Sequence, residues 1–433
     1  MPFKRLYIVV SFLVLVLWCQ TGFAEIIKIG EINPLSGRFA KQGLEIHQGV
    51  QVAVAEANAT GGIGGRLLEL VSRDDQSRPD VAISRAEELC GWKKVVALTG
   101  GYVDALVGPI GAVAKKYRIP YVASASLQKA LVELENPYFF RVSHLKGFVE
   151  PLCEFLVERL RPRRLAILHA ATPGSTELAR DLEFCLKTHG LNVRLVEKFR
   201  PGTPDFIPLI SKLAHLDIDV IVSGGFSPDH ILFVRQLKES NVAPKAYIGP
   251  FGIAYESFIQ ALGQDADYLY STCAWDSAFT LPGTESASKN FIERFRRMFN
   301  RQPNTTNMHG YTSTRALIAA MRKVLRSGQS LTGANIRQAL TAIDLTLPME
   351  RLVFNHNGDP RNYRHVILTT METPGTTGML LFKSRAAGSW WCILRSGPPA
   401  RTFIPCHIGS KGNNLYLTAE TLRTQSICVF CFP

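Results

Sequence analysis

From residue 26 onward, short apolar runs alternate with longer stretches in which apolar positions recur every three or four residues. Ile46, Val50, Ala53 and Ala57 form one such stripe, with Glu45, His47, Gln48 and Gln51 on the other face, which predicts an amphipathic helix. The apolar runs at 26–33, 67–74, 95–100 and 120–123 predict a first set of strands with helices between them. The pattern restarts after "YFFRVSHLKGF", with a helix carrying Phe148, Leu152, Phe155 and Leu156. Strands are then expected at 165–169, 193–199, 220–223 and 246–249. After 268–274, helices are expected at 286–299 and 310–327, then a short pair of strands at 351–354 and 363–369. Strands alternating with helices predict α/β lobes built on parallel sheets covered on both faces.

The stretch "NATGGIGGRLLELVSRDD" tests one function class directly. A phosphate-binding glycine loop follows a strand and opens a helix, where free N–H groups meet the anion. Here the order is reversed. Gly61 and Gly62 fall where a helix stops, and Gly64 and Gly65 where the chain turns into a strand, positions that call for positive φ. The carboxylates of Asp74 and Asp75 close that strand. As neighbours they point to opposite faces, so they predict a turn and a helix cap, not an acid/base pair.

Two similar half-chains predict two doubly wound parallel-sheet lobes joined by a hinge that the chain crosses more than once. The expected division is 25–143 plus 275–350 for lobe I and 144–274 plus 351–368 for lobe II. Lys4 and Arg5 before the apolar run 6–18, with Gly22 and Ala24 as small residues, predict a signal peptide over 1–24 and export from the cytoplasm. Trp18 argues against a lipid-bearing Cys19, since a small residue is wanted there. The net charge of +13 lacks basic runs with interleaved aromatics, so no nucleic-acid partner is expected. Residues 369–433 are acid-poor, without clear period, and hold Cys392, Cys406, Cys428 and Cys431; they predict an irregular, disordered extension. Cys406, His407, Cys428 and Cys431 do not have the spacing of paired CxxC knuckles, and neither a metal nor a cofactor is expected. Cys90, Cys153, Cys185 and Cys273 read as small buried apolar residues, with Cys153–Cys185 able to pair if their helices adjoin.

The opening "IKIGEINPLSGRFAKQGLEIHQGV" with its "PLSG", the "GGIGGRLLEL" turn and the "DD" before a helix resembles the branched-chain amino-acid type of periplasmic binding protein. "RRLAILHAATPGSTELARDLE", "GTPDFIPLISKLAHLDIDVIVSGGFSPDHILFVRQLKE" and "FNHNGDPRNYRHVIL" continue the resemblance colinearly over 26–368. It implies a type I periplasmic binding fold and a solute receptor that serves an ABC importer, with a membrane permease as partner, acting as a monomer. A sensing module of the same fold is the second reading. An enzyme is third, since no G-x-S-x-G elbow, H-E-x-x-H or GxxxxGK[ST] loop is present.

Ligands of open parallel sheets bind outside the carboxyl ends of the strands. The candidate loops are therefore 35–42, 100–106 and 123–128 on one lobe and 170–176, 224–228 and 250–253 on the other. The resemblance places the ligand against Gly101, Tyr102, Val103 and Asp104, then Ser124, Ala125 and Ser126, and across the cleft Phe226 and Phe251. Three positions depart from the family. Asp104 stands where a serine receives the ligand carboxylate, and it either receives an ammonium or amide donor or caps a helix. Phe251 replaces the glutamate that holds the α-ammonium, and Phe226 and Gly174 replace two cleft tyrosines. The pocket is expected to suit an apolar or aromatic body better than a zwitterion. His169, at a strand end, is expected either to contact ligand or to be hydrogen-bonded in place.

Overall fold

The computed structural model describes residues 26–133, 135–277 and 280–373, with further short strands at 376–382, 391–392, 406–407, 409–411 and 414–416. The signal segment expected at 1–24 lies outside the described residues, as do Cys428 and Cys431.

The first sheet is built from β1 (Ile27–Asn33), β2 (Leu68–Asp74), β3 (Ala97–Tyr102), β4 (Tyr121–Ala125) and β5 (Phe139–Arg141), in the order β2-β1-β3-β4-β5. All its pairings are parallel. Helices α1 (Ala40–Ala59), α2 (Pro79–Glu87) and α3 (Asp104–Tyr117) connect these strands. Strand β5 was not expected from the sequence. It has only three residues, all buried, too few for a period to register.

The second sheet continues with α4 (Lys146–Phe155), β6 (Leu165–Ala170), α5 (Pro173–Thr188), β7 (Val193–Phe199), α6 (Ile207–His215), β8 (Val220–Gly224), α7 (Ser227–Glu239), β9 (Ala246–Gly249), α8 (Glu256–Leu262) and β10 (Tyr270–Cys273). Its strands β7-β6-β8-β9-β10 are parallel, repeating the 2-1-3-4-5 arrangement of the first sheet. In the inner strands β6 and β8 both faces are apolar. Ala166, Leu168 and Ile221 pack into one core, while Leu165, Ile167, Val220 and Val222 pack into the other.

The chain crosses between the sheets three times. It leaves β5 for α4, returns after β10 to α9 (Glu285–Phe299) and α10 (Thr305–Arg326), and crosses back to β13 (Val366–Thr373). Helix α10 lies against α1 at a separation only glycine allows. A Cβ on Gly49 would stand 1.9 Å from the Asn307 carbonyl oxygen, and one on Gly310 would stand 2.1 Å from that of Ile46.

The last strands differ from the expected pairing. β12 (Arg351–Leu352) pairs antiparallel with β11 (Leu345–Thr346), whereas β13 joins the second sheet antiparallel to β10. The strand continues to Thr373 and is followed by an antiparallel partner at Thr376–Phe382. Part of the extension expected to be irregular is therefore extended chain added to the sheet edge. Cys153 on α4 and Cys185 on α5 form a disulfide. Cys90 and Cys273 are buried thiols, and burial pushes Cys90 up to about 12, so both act as apolar filling. The glycines of the opening turn all take positive φ, at 83° and 76° for Gly61 and Gly62 and 59° and 76° for Gly64 and Gly65.

Candidate functional site

In each sheet the strand order reverses at one place, between β1 and β3 in the first and between β6 and β8 in the second. Loops leaving neighbouring strands there depart to opposite faces and open a crevice. The two crevices face each other. Phe39, after β1, meets Phe226, after β8, with ring centroids 5.5 Å apart, and Tyr102 stands edge-on to Phe39 at 5.7 Å. Close by, the backbone N–H of Lys129 donates to Glu177 of α5 at 3.0 Å.

The β3 loop owes its shape to glycines and to a strained residue. Gly100 and Gly101 have φ near 90° (93° and 89°), and a Cβ on Gly101 would lie 2.1 Å from the Tyr121 hydroxyl. The Gly101 N–H donates to Asn33 Oδ1 at 2.8 Å, fastening this loop to the end of β1. Val103 then takes φ 61° and ψ 144°, a conformation costly for a β-branched residue, of order 1–3 kcal/mol. The turn aims the amino-terminus of α3, and Asp104 with it, into the gap.

Asp104 is buried and does not cap its own helix. Val103 holds the cap position without a side-chain bond, and Asp104 is the first helical residue. Its Oδ1 instead accepts three bonds from the β4 loop: the backbone N–H of Leu127 at 2.7 Å, that of Gln128 at 2.9 Å and the Ser126 hydroxyl at 3.1 Å. That loop is braced from behind. The buried Arg141 donates to the Gln128 carbonyl at 2.8 Å and to Asp359 at 2.5 Å, while the Ser143 hydroxyl accepts from the Ser126 N–H at 3.2 Å. The other oxygen of Asp104 faces α5. A Cβ on Gly174 would lie 2.7 Å from Asp104 Oδ2, so a side chain at 174 and this approach exclude each other.

Ser124 stands apart from the other expected residues. Strand alternation turns it to the opposite face, where it is fully buried with its hydroxyl 2.8 Å from that of Ser313 on α10. Ala125, half-buried at the end of β4, stays beside the gap. Glu45, on the second turn of α1, is a residue the sequence reading missed. Its Oε2 is buried without a partner and burial raises its pKa, while its charge adds to the burial that raises the hydroxyls of Tyr102 and Tyr255. Tyr255 reaches over from the second sheet, with its hydroxyl 3.0 Å from that of Thr306.

On the second side, Phe226 and Phe251 are half-buried and held through their backbones. Asp229 accepts from the Phe226 N–H at 3.1 Å and the Gly202 N–H at 2.8 Å. His230 Nε2 lies 2.9 Å from the Phe251 carbonyl, with Nδ1 2.7 Å from the Tyr247 hydroxyl. Burial lowers the His230 pKa to about 4, so the ring is neutral and donates from one nitrogen. The Phe251 ring stands edge-on to Phe148 at 6.1 Å. His169 is buried, with Nδ1 3.1 Å from the Ala170 carbonyl and 3.4 Å from the Thr176 hydroxyl, so it is bonded in place.

Asp74 and Asp75 do not cap the following helix, whose cap residue is Arg78. Asp74 Oδ1 accepts from the N–H groups of Leu35, Ser36 and Gln76 at 2.9, 3.1 and 2.8 Å, which ties the β2 end to the loop carrying Phe39. Asp75 is wholly buried, with Oδ1 accepting from the Ser77 N–H at 2.8 Å, and burial raises its pKa to about 7.

A family model described as "Periplasmic binding protein" matches residues 26–375. The chain is similar to "Leu/Ile/Val-binding protein homolog 7" of Brucella abortus, at 25% identity over 353 residues, covering 78% of this chain and 86% of that protein. Its fold is similar to the branched-chain amino acid transporter substrate-binding protein LivJ from Streptococcus pneumoniae, solved with isoleucine. That likeness has a TM-score of 0.72 and 20% identity, and covers 86% of this chain and all of the other (100%). It is also similar to a solute-binding protein of an ABC transporter from Rhodopseudomonas palustris, solved with 3,4-dihydroxybenzoic acid. There the TM-score is 0.70 at 18% identity, covering 81% and 95%.

Proposed function

The chain belongs to the periplasmic binding protein family, and on that premise we propose that it is an extracytoplasmic solute receptor of an ABC importer. It binds a small molecule between the two sheets and presents the closed form to a membrane permease. The carrying observation is the opposition of two strand-order reversals. Each directs its loops into one gap, where Phe39 meets Phe226 and Asp104 meets Gly174. Three chain crossings suit a hinge, and a ligand touching both sides favours closure by its differential affinity for the closed form.

In this reading the lobes are 25–143 with 275–350 and 144–274 with 351–368, and the receptor acts as a monomer outside the cytoplasm. Ligand contacts come from Gly101 to Asp104, Ala125 and Ser126 on one side, and Phe226 and Phe251 on the other. Related chains bear names of branched-chain amino-acid binders, and one neighbour of the fold holds an aromatic acid. The two phenylalanines here support an apolar or aromatic ligand body.

The test is a thermal-shift screen of the exported protein, stripped of ligand, against amino acids, aromatic and aliphatic acids, amides and amines. A ligand of the native state raises the melting temperature by mass action. Saturable stabilisation by one class supports the reading, and the absence of any shift across the panel counts against it.

A further inference from the structure

The three donors on Asp104 Oδ1 make a carboxylate receptor: two successive backbone N–H groups and a hydroxyl converge on one oxygen at 2.7, 2.9 and 3.1 Å. They lie at the carboxyl end of β4, where a parallel sheet presents its donors to ligands. The receptor is braced from behind. Arg141, itself 1% exposed, holds the Gln128 carbonyl, and Ser143 holds Ser126 through both its N–H and its carbonyl. Such a site suits any carboxylate, since charge-assisted bonds are the stronger kind. In this protein the carboxylate that fills it comes from the chain.

We propose that Asp104 is a built-in substitute for a ligand carboxylate, so that the gap admits ligands carrying no carboxylate of their own and offering N–H donors, as amides and amines do. A free acid would find these donors engaged and would face the charge of Asp104, with no new cation from this loop to offset it. Gly174 completes the arrangement by leaving room for Asp104 Oδ2 against the first turn of α5. The choice of ligand class rests on the receptor reading above; the occupancy of the donors does not.

Two experiments on the full exported chain separate these parts. In the first, Asp104→Ala is titrated with acetate, using chloride as a control for ionic strength. The expected result is a melting temperature below that of the unsubstituted protein and raised saturably by acetate, while the unsubstituted protein responds to neither salt. Equal responses to acetate and chloride would overturn the receptor role of these donors. Asp104→Ser serves in the same titration should the alanine variant fold poorly.

In the second, calorimetry compares benzoate, benzamide, benzylamine and L-leucine. The unsubstituted protein is expected to bind benzamide or benzylamine and not benzoate or leucine. Asp104→Ser is expected to tighten benzoate by about tenfold or more. Tight benzoate or leucine binding by the unsubstituted protein, unchanged in Asp104→Ser, would overturn the proposal. If none of the four binds while acetate still restores Asp104→Ala, the donor assignment stands and the choice of ligand class is what fails.

Discussion

The two sides of the gap are made by the same strand order and solve different problems. On the first side polar groups are fixed by polar groups: a strained Val103, a carboxylate held by three donors, and a buried Arg141–Asp359 pair behind the loop. On the second side half-buried aromatic rings pack against other rings while their backbones are held, Phe226 by Asp229 and Phe251 by His230. Under the proposed reading, the difference teaches that one bank sets which polar groups a ligand carries and the other offers an apolar surface.

The largest expected effect breaks the first side from behind. Arg141→Ala leaves Asp359 without its cation and the Gln128 carbonyl without its donor, and should cost about 3–5 kcal/mol in urea denaturation. Its ligand contacts should loosen as well. A loss below about 1 kcal/mol would mean water replaces the guanidinium and the loop is not braced by it.

Next is the disulfide, confined to the second side. It closes a loop with a sequence separation of 32 residues, so Cys153→Ser with Cys185→Ser should cost about 2–4 kcal/mol. Hydrogen exchange should quicken in α4 and α5 and remain unchanged in α1 and α10. Equal quickening in both would show that the sides do not open separately.

A smaller effect is expected at the meeting of the rings. Phe226→Ala removes one partner of the Phe39 contact and should weaken ligand binding about tenfold by calorimetry, with little change in melting temperature. Unchanged affinity would place the ring outside the ligand's reach.

The mildest test is pH, where the sides have opposite signs. Folding raises Asp75 from 3.8 to about 7 by burial, so the folded chain holds that proton more tightly. Its contribution is greatest below about pH 4 and is lost as pH rises through 7. His230 is lowered from 6.5 to about 4 by burial, so its contribution is present above pH 6.5 and is lost as pH falls through 4. Both effects fall between about pH 4 and 7, so over that range Asp75→Asn should make melting temperature rise more steeply with pH, and His230→Gln should make it rise less. A slope unmoved by either substitution would assign it to other groups.

The architecture was legible because both halves repeat a strand-helix pattern and because glycines mark turns with a definite backbone need, as at Gly61 to Gly65. What escaped was whatever depends on a partner distant in sequence. Strand β5 has too few residues for a period, and the closing strands looked like a pair because adjacency in sequence suggested it. The face of Ser124 is set by the alternation of β4 and a partner, Ser313, 189 residues away. Asp104 at a helix start allows either a cap or a ligand contact. Its carboxylate does not cap its own helix, because the β4 loop presents three donors whose convergence no local pattern encodes.

The glycine contact between α1 and α10 has a consequence for how the chain is made. Asn307 donates to the Glu45 carbonyl across a sequence separation of 262 residues. The first half therefore cannot complete its own helix layer until most of the chain has been synthesised. Such distant closure slows folding. If the chain is exported unfolded, as the proposed reading has it, a first half that waits for α10 stays ready for passage until residue 326 has been made.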